Sequence, residues 1–305
     1  MKLKLTNSAS YFTKRIALYV TLLIVAATFL LPLLWMISTS IKPLDQVFAA
    51  DQSILPHVVS DDGVQRTVSP FTLQYWRGVS NYAIDNYKGA WNDPIAEFPL
   101  YLKNTLLITL LSVLGIVISS SIVAYGFSRI YWRGRNGVFL LVIATMMVPF
   151  PVLMAPLYVL FKQLGWIGSF KPLWVPAWFG GAFSIFLLRQ FFMRIPKQYD
   201  EAAMLDGCSR WGILWRIILP LSKPALAVVI LFQFIASWND FVGPLVFLNH
   251  QEQFTLSLGL YMYQSQQGAT PWNLLMAASV LVILPVLIVF LLTQRSFMRG
   301  ITARG

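Results

Sequence analysis

Cysteine and charge are both scarce in this sequence of 305 residues. The single cysteine, Cys208, excludes an internal disulfide and any cysteine-built metal cluster. The two histidines, His57 and His250, form no ligand pair in the pattern, and no titratable cluster reads as a catalytic centre. No Gly-Lys-Ser/Thr loop is present to cradle nucleotide phosphates. The expectation is a chain without its own cofactor and without enzymatic chemistry. Charged residues make up only 11%, less than half of the roughly 25% usual in soluble domains.

What fills the space is apolar, at 57% of residues, and it is grouped. The runs Ile16–Ile41, Asn104–Ser128 and Asn136–Phe161 carry no charge at all. Each exceeds the roughly 20 residues that cross about 30 Å of hydrocarbon. Two weaker runs follow, Pro172–Leu188 and Pro224–Asn239, the second continuing past Asp240 to Leu248, and the last is Leu274–Thr293. The fold predicted is all-α and polytopic, one transmembrane domain over 1–305 with spans near 16–41, 104–128, 136–161, 172–188, 224–248 and 274–293. A secretory signal is the rival reading of the first run, because Lys14 and Arg15 precede it. That run is longer than the roughly 7 to 15 residues of a signal core, and no small-residue cleavage site stands out, so an uncleaved span is expected.

The net charge of +11 is arranged by topology. Sixteen basic residues fall before the first span, between the second and third, between the fourth and fifth, and after the sixth, against three acids. The alternate segments hold seven bases against eight acids. Basic segments stay in the cytoplasm, so both termini are expected there. The surplus charge is accounted for without nucleic acid, and membrane lipid is the solvent of the chain.

Between the spans, 42–103 is expected to form a partly structured outer cap, being too rich in Trp, Tyr and Phe for a disordered linker. The loop from Asn249 to Pro271 has no Lys or Arg but is rich in Gln, Tyr and Gly. It suits contact with a neutral solute or docking partner, and equally a solvated connector. The inner segment 195–220 carries the sharpest local signals. Pro196 fits a first helical turn, Asp200 and Glu201 sit near the positive helix end, and Ala202, Ala203, Met204 and Leu205 favour helix. Gly207 supplies a left-handed stop, Ser209 caps a second helix, and Pro220 ends it. This short helix, glycine turn and second helix form a knob on the inner face. An interfacial amphipathic helix and a DNA-binding helix-turn-helix are the bland alternatives; tethering between two spans argues against the second.

The run Glu201-Ala202-Ala203, with Asp206-Gly207 and then Ile218-Leu219-Pro220, resembles the EAA signature of binding-protein-dependent importer permeases. Pro196-Lys197, the stretch from Trp215 to Pro224, Trp238-Asn239-Asp240-Phe241 and the stretch from Gln294 to Thr302 are similar to its carbohydrate-importing, maltose-type branch. The resemblance covers nearly the whole chain and departs from it around Val58 to Val79, where the first outer segment is longer. It implies a type I ATP-binding-cassette importer fold in the bacterial inner membrane. The implied partners are a second permease subunit, two cytoplasmic ATPase subunits that hold the ATP and magnesium, and a periplasmic or lipid-anchored solute-binding protein. It also implies that Glu201, Ala202, Ala203, Met204, Leu205, Asp206 and Gly207 dock into the ATPase and relay its closure. Gln251, Tyr261, Tyr263, Gln264, Gln266, Gln267 and Gly268 would meet the binding protein.

A carboxylate at the centre of a span costs about 2.5 to 3.5 kcal/mol on insertion scales. Asp240 therefore marks a translocation pathway, with Trp238 and Asn239 beside it, or it sits at the outer end of the fifth span. The rival function is an ion-coupled secondary transporter, which needs ionisable residues buried in its spans. Asp240 is the one such residue in the six runs.

Overall fold

The computed structural model describes residues 5–49, 53–59, 67–93, 96–264 and 270–302, with side chains placed from 11 to 294 within those limits. The described residues are helical, with one isolated antiparallel bridge, Val59 to Thr67. Among the described residues, four helical stretches are long and apolar enough to cross a membrane, or up to six if each of two bent pairs is one span. The chain divides into two compact units, Met1–Asp93 with Ser265–Leu281, and Pro94–Gln264 with Val282–Gly305.

In the first unit the helix α1 (Leu5–Ser40) contains the first apolar run. None of its most apolar stretch is buried within the chain. A passage that includes the short helix Leu44–Val47 then leads to α2 (Leu73–Trp91), which is capped by Thr72, whose hydroxyl accepts from the Tyr75 amide. A small core of Val58, Tyr75 and Val79, with Ile41, Val68 and Tyr82 against it, holds the passage to the helix. Polar locks reinforce it. Gln46 and His57 exchange two hydrogen bonds, of 2.8 and 2.7 Å, and the Tyr75 hydroxyl donates to the Pro56 carbonyl at 2.8 Å. The buried Asn86 side chain donates to the carbonyls of Ser40, at the end of α1, and Lys42. Its own oxygen accepts from Asn273 in the first turn of α10 (Trp272–Thr302) at 2.8 Å.

The second unit is built around α3 (Phe98–Arg129), which contains the second run. Its buried face alternates small and polar residues, among them Thr105, Thr109, Ser112, Gly115, Ser120, Ser121 and Ala124. Such residues let helix backbones approach closely in a membrane. They also serve the fourth span. The candidate span there is Lys171–Arg194, interrupted by a 3-10 stretch at Val175–Phe179 and by Gly180 at φ 87°. Interrupted backbone within a bilayer must find partners in protein. Ser112 donates to the Leu173 carbonyl at 3.3 Å, Ser119 to that of Ala177 at 3.1 Å, and Ser120 accepts from the Gly181 amide at 3.2 Å. Helix resumes as α6 (Ala182–Arg194).

The third run is not one straight helix. Arg135–Met147 and Phe150–Gln163 (α4 and α5) meet at 100°. The cause is local: Val148 precedes Pro149 and is driven to an extended conformation, φ −84° and ψ 114°. The fifth run also differs from expectation. Its helix α8 (Lys223–Trp238) stops at Trp238, and Asn239 is its C-cap. The residues to Leu248 form a separate short helix, Val242–Phe247, rather than a continuation. The loop expected from Asn249 to Pro271 is likewise not all loop, because Leu256–Gln264 is the helix α9. Gly259 makes this possible, since a Cβ there would strike the Tyr101 ring.

Candidate functional site

The knob is built as a helix, α7 (Gln198–Leu205), closed by a complete left-handed turn. The Gly207 amide donates to the Met204 carbonyl at 3.1 Å and the Cys208 amide to that of Ala203 at 2.9 Å. These bonds satisfy carbonyls that the helix end leaves open. They require Gly207 to adopt φ +77°. Ser209 then caps the next helix, its hydroxyl accepting from the Gly212 amide at 3.2 Å. That helix runs from Arg210 to Leu221 through a π-helical stretch, Leu214–Ile218, in which the Leu219 amide reaches back to the Leu214 carbonyl. Pro220 lacks an amide and its ring crowds the preceding turn. The wider π geometry falls just before it. An 82° bend at Ser222 leads into α8.

The two faces of α7 differ in kind. Ala203 is 8% exposed and belongs to the core with Tyr125, Phe192, Ile195, Ile213 and Leu214. It is therefore turned towards its own chain and not outward, whereas its neighbour Ala202 is exposed. Glu201, Ala202, Met204, Asp206 and Gly207 are exposed, and Leu205 is 89% exposed. Exposed Tyr199 and Trp211 extend this apolar surface.

A single side chain, Arg129, fixes the knob. Read from the sequence as one of many topological charges, Arg129 ends α3 with its side chain only 4% exposed. Its guanidinium donates to the carbonyls of Phe192 at 2.6 Å and Ile195 at 2.7 Å, at the end of α6. It also pairs with Asp200 of α7 at 3.4 Å. One buried cation thus joins the ends of two spans to the knob. Burial pushes the Asp200 carboxyl above its ordinary value, against the opposite pull of Arg129. The adjoining Glu201 charge raises it as well, and Lys197 lowers it. The residue's type and position offered only one clue, an arginine at the last turn of a span.

The expected pathway residues separate. Trp238 is fully buried, stacks on Phe234 at 5.2 Å and donates its indole N–H to the Val282 carbonyl at 3.0 Å. It is a packing residue here, which corrects its assignment to a passage wall. Asn239 is exposed, with its amide on the Ile235 carbonyl. Asp240 lies beyond the end of α8 and accepts from the Gly243 amide at 3.0 Å, starting the Val242–Phe247 helix. Asparagine preserves that acceptor, whereas alanine removes it at a cost of about 1 kcal/mol. Asp240→Asn is therefore expected to keep uptake, and Asp240→Ala to lower thermal stability. Loss of uptake in the asparagine variant would show that the charge itself acts on the solute.

The segment from Asn249 to Gln264 is a supported platform. Asn104 donates to the carbonyls of Glu252 and Phe254, and Thr105 accepts from the Leu256 amide. Gln251 is exposed and donates to the Tyr101 hydroxyl at 3.1 Å. Tyr261 is exposed with its ring 5.4 Å from that of Phe241, and Gln264 is exposed. Tyr263 is fully buried and serves the core, not a docking face. Gln266, Gln267 and Gly268 lie outside the described residues.

Several helices of membrane length, one of them lined with buried hydroxyls, and a knob braced by a buried arginine define a multi-pass membrane subunit. The chain belongs to the family described as binding-protein-dependent transport system inner membrane component, which residues 112–302 match. It is 36% identical over 292 residues to the trehalose/maltose transport system permease protein MalG of Thermococcus litoralis, covering 95% of this chain and 96% of that one. It is 31% identical to the arabinooligosaccharides transport system permease protein AraQ of Bacillus subtilis, covering 99% of each. Its fold is similar to a chain of a bacterial ABC transporter involved in the import of the acidic polysaccharide alginate. The TM-score is 0.77 at 25% identity, over 94% of this chain and 98% of that one. The protein is thus a membrane-spanning ABC importer subunit of the inner membrane and not an enzyme. Hydrolysis of ATP takes place on its ATPase partners.

Proposed function

We propose that this subunit carries a sugar or oligosaccharide by alternating access, together with a second permease subunit, and that α7 is where two cytoplasmic ATPases act on the pair. The relatives named for trehalose/maltose and arabinooligosaccharide transport support the substrate class. The observation that carries the coupling reading is the two-sided α7. Its exposed side offers Glu201, Ala202, Met204 and Leu205, while its other side is fixed through Asp200 and Ala203 to the membrane-spanning helices. A solvated loop needs no such brace. A protruding apolar side chain beside an acidic one suits a cleft in a protein partner. Both termini and α7 are assigned to the cytoplasm, on the distribution of basic residues. The platform of Gln251, Tyr261 and Gln264 faces the opposite side, where a solute-binding protein docks.

Leu205→Cys in a Cys208→Ser background is expected to crosslink to the ATPase in membranes, and Ala203→Cys to do so weakly, because that side chain is covered. Equal capture at both positions, or capture at neither, would reject this orientation of the knob. Uptake should follow ATP and not the ion gradient. Asp240, the acidic residue an ion-coupled mechanism would need, is used as a helix-starting acceptor.

A further inference from the structure

The helix α2 has two apolar faces, and only one of them is buried within its own unit. Tyr75, Val79, Asn86 and Ala90 are buried and hold it to the passage and to the ends of α1 and α10. Residues advance about 100° around a helix, so Leu73, Trp76, Ile84 and Trp91 fall within one sector beside the buried one, centred about 120° from it. All four are exposed, and Phe71, just before the helix, is 99% exposed. The next sector holds Arg77 and Lys88, also exposed, and beyond it lie Gln74, Asn81 and Asp85. Apolar, basic and then neutral or acidic residues thus follow one another around the axis.

We infer that α2 lies in the headgroup layer of the bilayer, with Leu73, Trp76, Ile84 and Trp91 towards the acyl chains and Arg77 and Lys88 among anionic lipid phosphates. Depth comes from the polar locks. Asn86 is bonded to the carbonyls of Ser40 and Lys42, where the first span ends, and to Asn273, where the last begins. Tyr75 and Val79, about three and two turns earlier, pack with Ile41 in the same core. Much of the helix is therefore held at the level where the spans leave the hydrocarbon. Trp76 and Trp91 are about 22 Å apart along the axis. Both rings can occupy the headgroup layer, which tryptophan favours, only if the helix lies along the membrane. A basic sector bordering an apolar one is the chemistry of an interfacial helix on an anionic surface. This inference requires that the chain spans a bilayer and is independent of the role proposed for α7.

The test uses the complete transporter in vesicles of phosphatidylethanolamine and phosphatidylglycerol. Single cysteines replace Trp76, Ile84, Asn81 and Asp85 in the Cys208→Ser background, each labelled with a fluorophore. Nitroxide lipid labelled near the headgroup should quench positions 76 and 84 severalfold more than aqueous iodide does, with the reverse at 81 and 85. Arg77→Gln with Lys88→Gln should weaken lipid quenching at 76 and remove its dependence on phosphatidylglycerol content. Iodide quenching at 76 and 84 would overturn the inference by placing that face in water. Shielding from both quenchers would overturn it too: if it appears only with the binding protein added, that protein is the occupant, and if it is constant, the second permease is.

Discussion

Replacing Arg129 by methionine is expected to uncouple the transporter while leaving the chain in the membrane. Methionine keeps the bulk and apolar stem but removes the cation that bonds to the carbonyls of Phe192 and Ile195 and to Asp200. The carboxylate would then be buried without its partner, and removing one member of a buried pair costs about 3–5 kcal/mol. Set against the balance between a docked and a released knob, the lower figure is a shift of about two orders of magnitude. Reconstituted transporter carrying Arg129→Met should hydrolyse ATP with sugar uptake per ATP reduced at least about tenfold. Asp200→Asn should be milder, because the two carbonyl bonds of Arg129 survive it. If the ratio of uptake to hydrolysis is unchanged and only the yield of assembled complex falls, Arg129 is a stabilising residue and does not transmit force.

Gly207→Pro is expected to abolish uptake, again in a protein that still inserts. Proline is held near φ −65° and has no amide, whereas Gly207 sits at φ +77° and donates to Met204. Both the turn and one of its two closing bonds are lost, so Met204 and Leu205 are no longer presented at the end of an ordered helix. The combined penalty is about 3 kcal/mol or more. Asparagine tolerates the left-handed region, so Gly207→Asn should retain much of the activity. Glu201→Lys reverses a charge that is exposed and in no ion pair among the described residues, and is also expected to stop uptake. Normal uptake in the proline variant would mean that the shape of this turn is irrelevant to transport.

The long apolar runs, the glycine stop and the serine cap could be read from residue types, because each depends on local chemistry: length against a bilayer, φ at Gly207, the hydroxyl of Ser209. Interruptions were harder. Asn136–Phe161 contains no charge, so hydropathy alone joins what Val148 and Pro149 separate by 100°. The run past Asp240 read as one span because apolar content does not record that Asp240 turns back to the Gly243 amide. Trp238, Tyr263 and Ala203 all carry side chains that suit a surface role equally well. Which way they point depends on partners distant in sequence, Val282 for Trp238 and the Tyr125 core for Ala203. The role of Arg129 was invisible for the same reason, since Phe192 and Asp200 stand more than sixty positions away.

The hydroxyls of α3 have a consequence for how the protein is made. Stranded in lipid by itself, the stretch from Leu173 to Gly181 would expose bare carbonyls and an amide, whereas α3 is a continuous helix that needs no outside help. The earlier segment must therefore already be waiting when the later one arrives. Chain order delivers them in that sequence, so biogenesis from the amino-terminal side provides the fourth crossing with a template, and a version of the gene with those two segments exchanged in order would leave the broken one stalled at the interface.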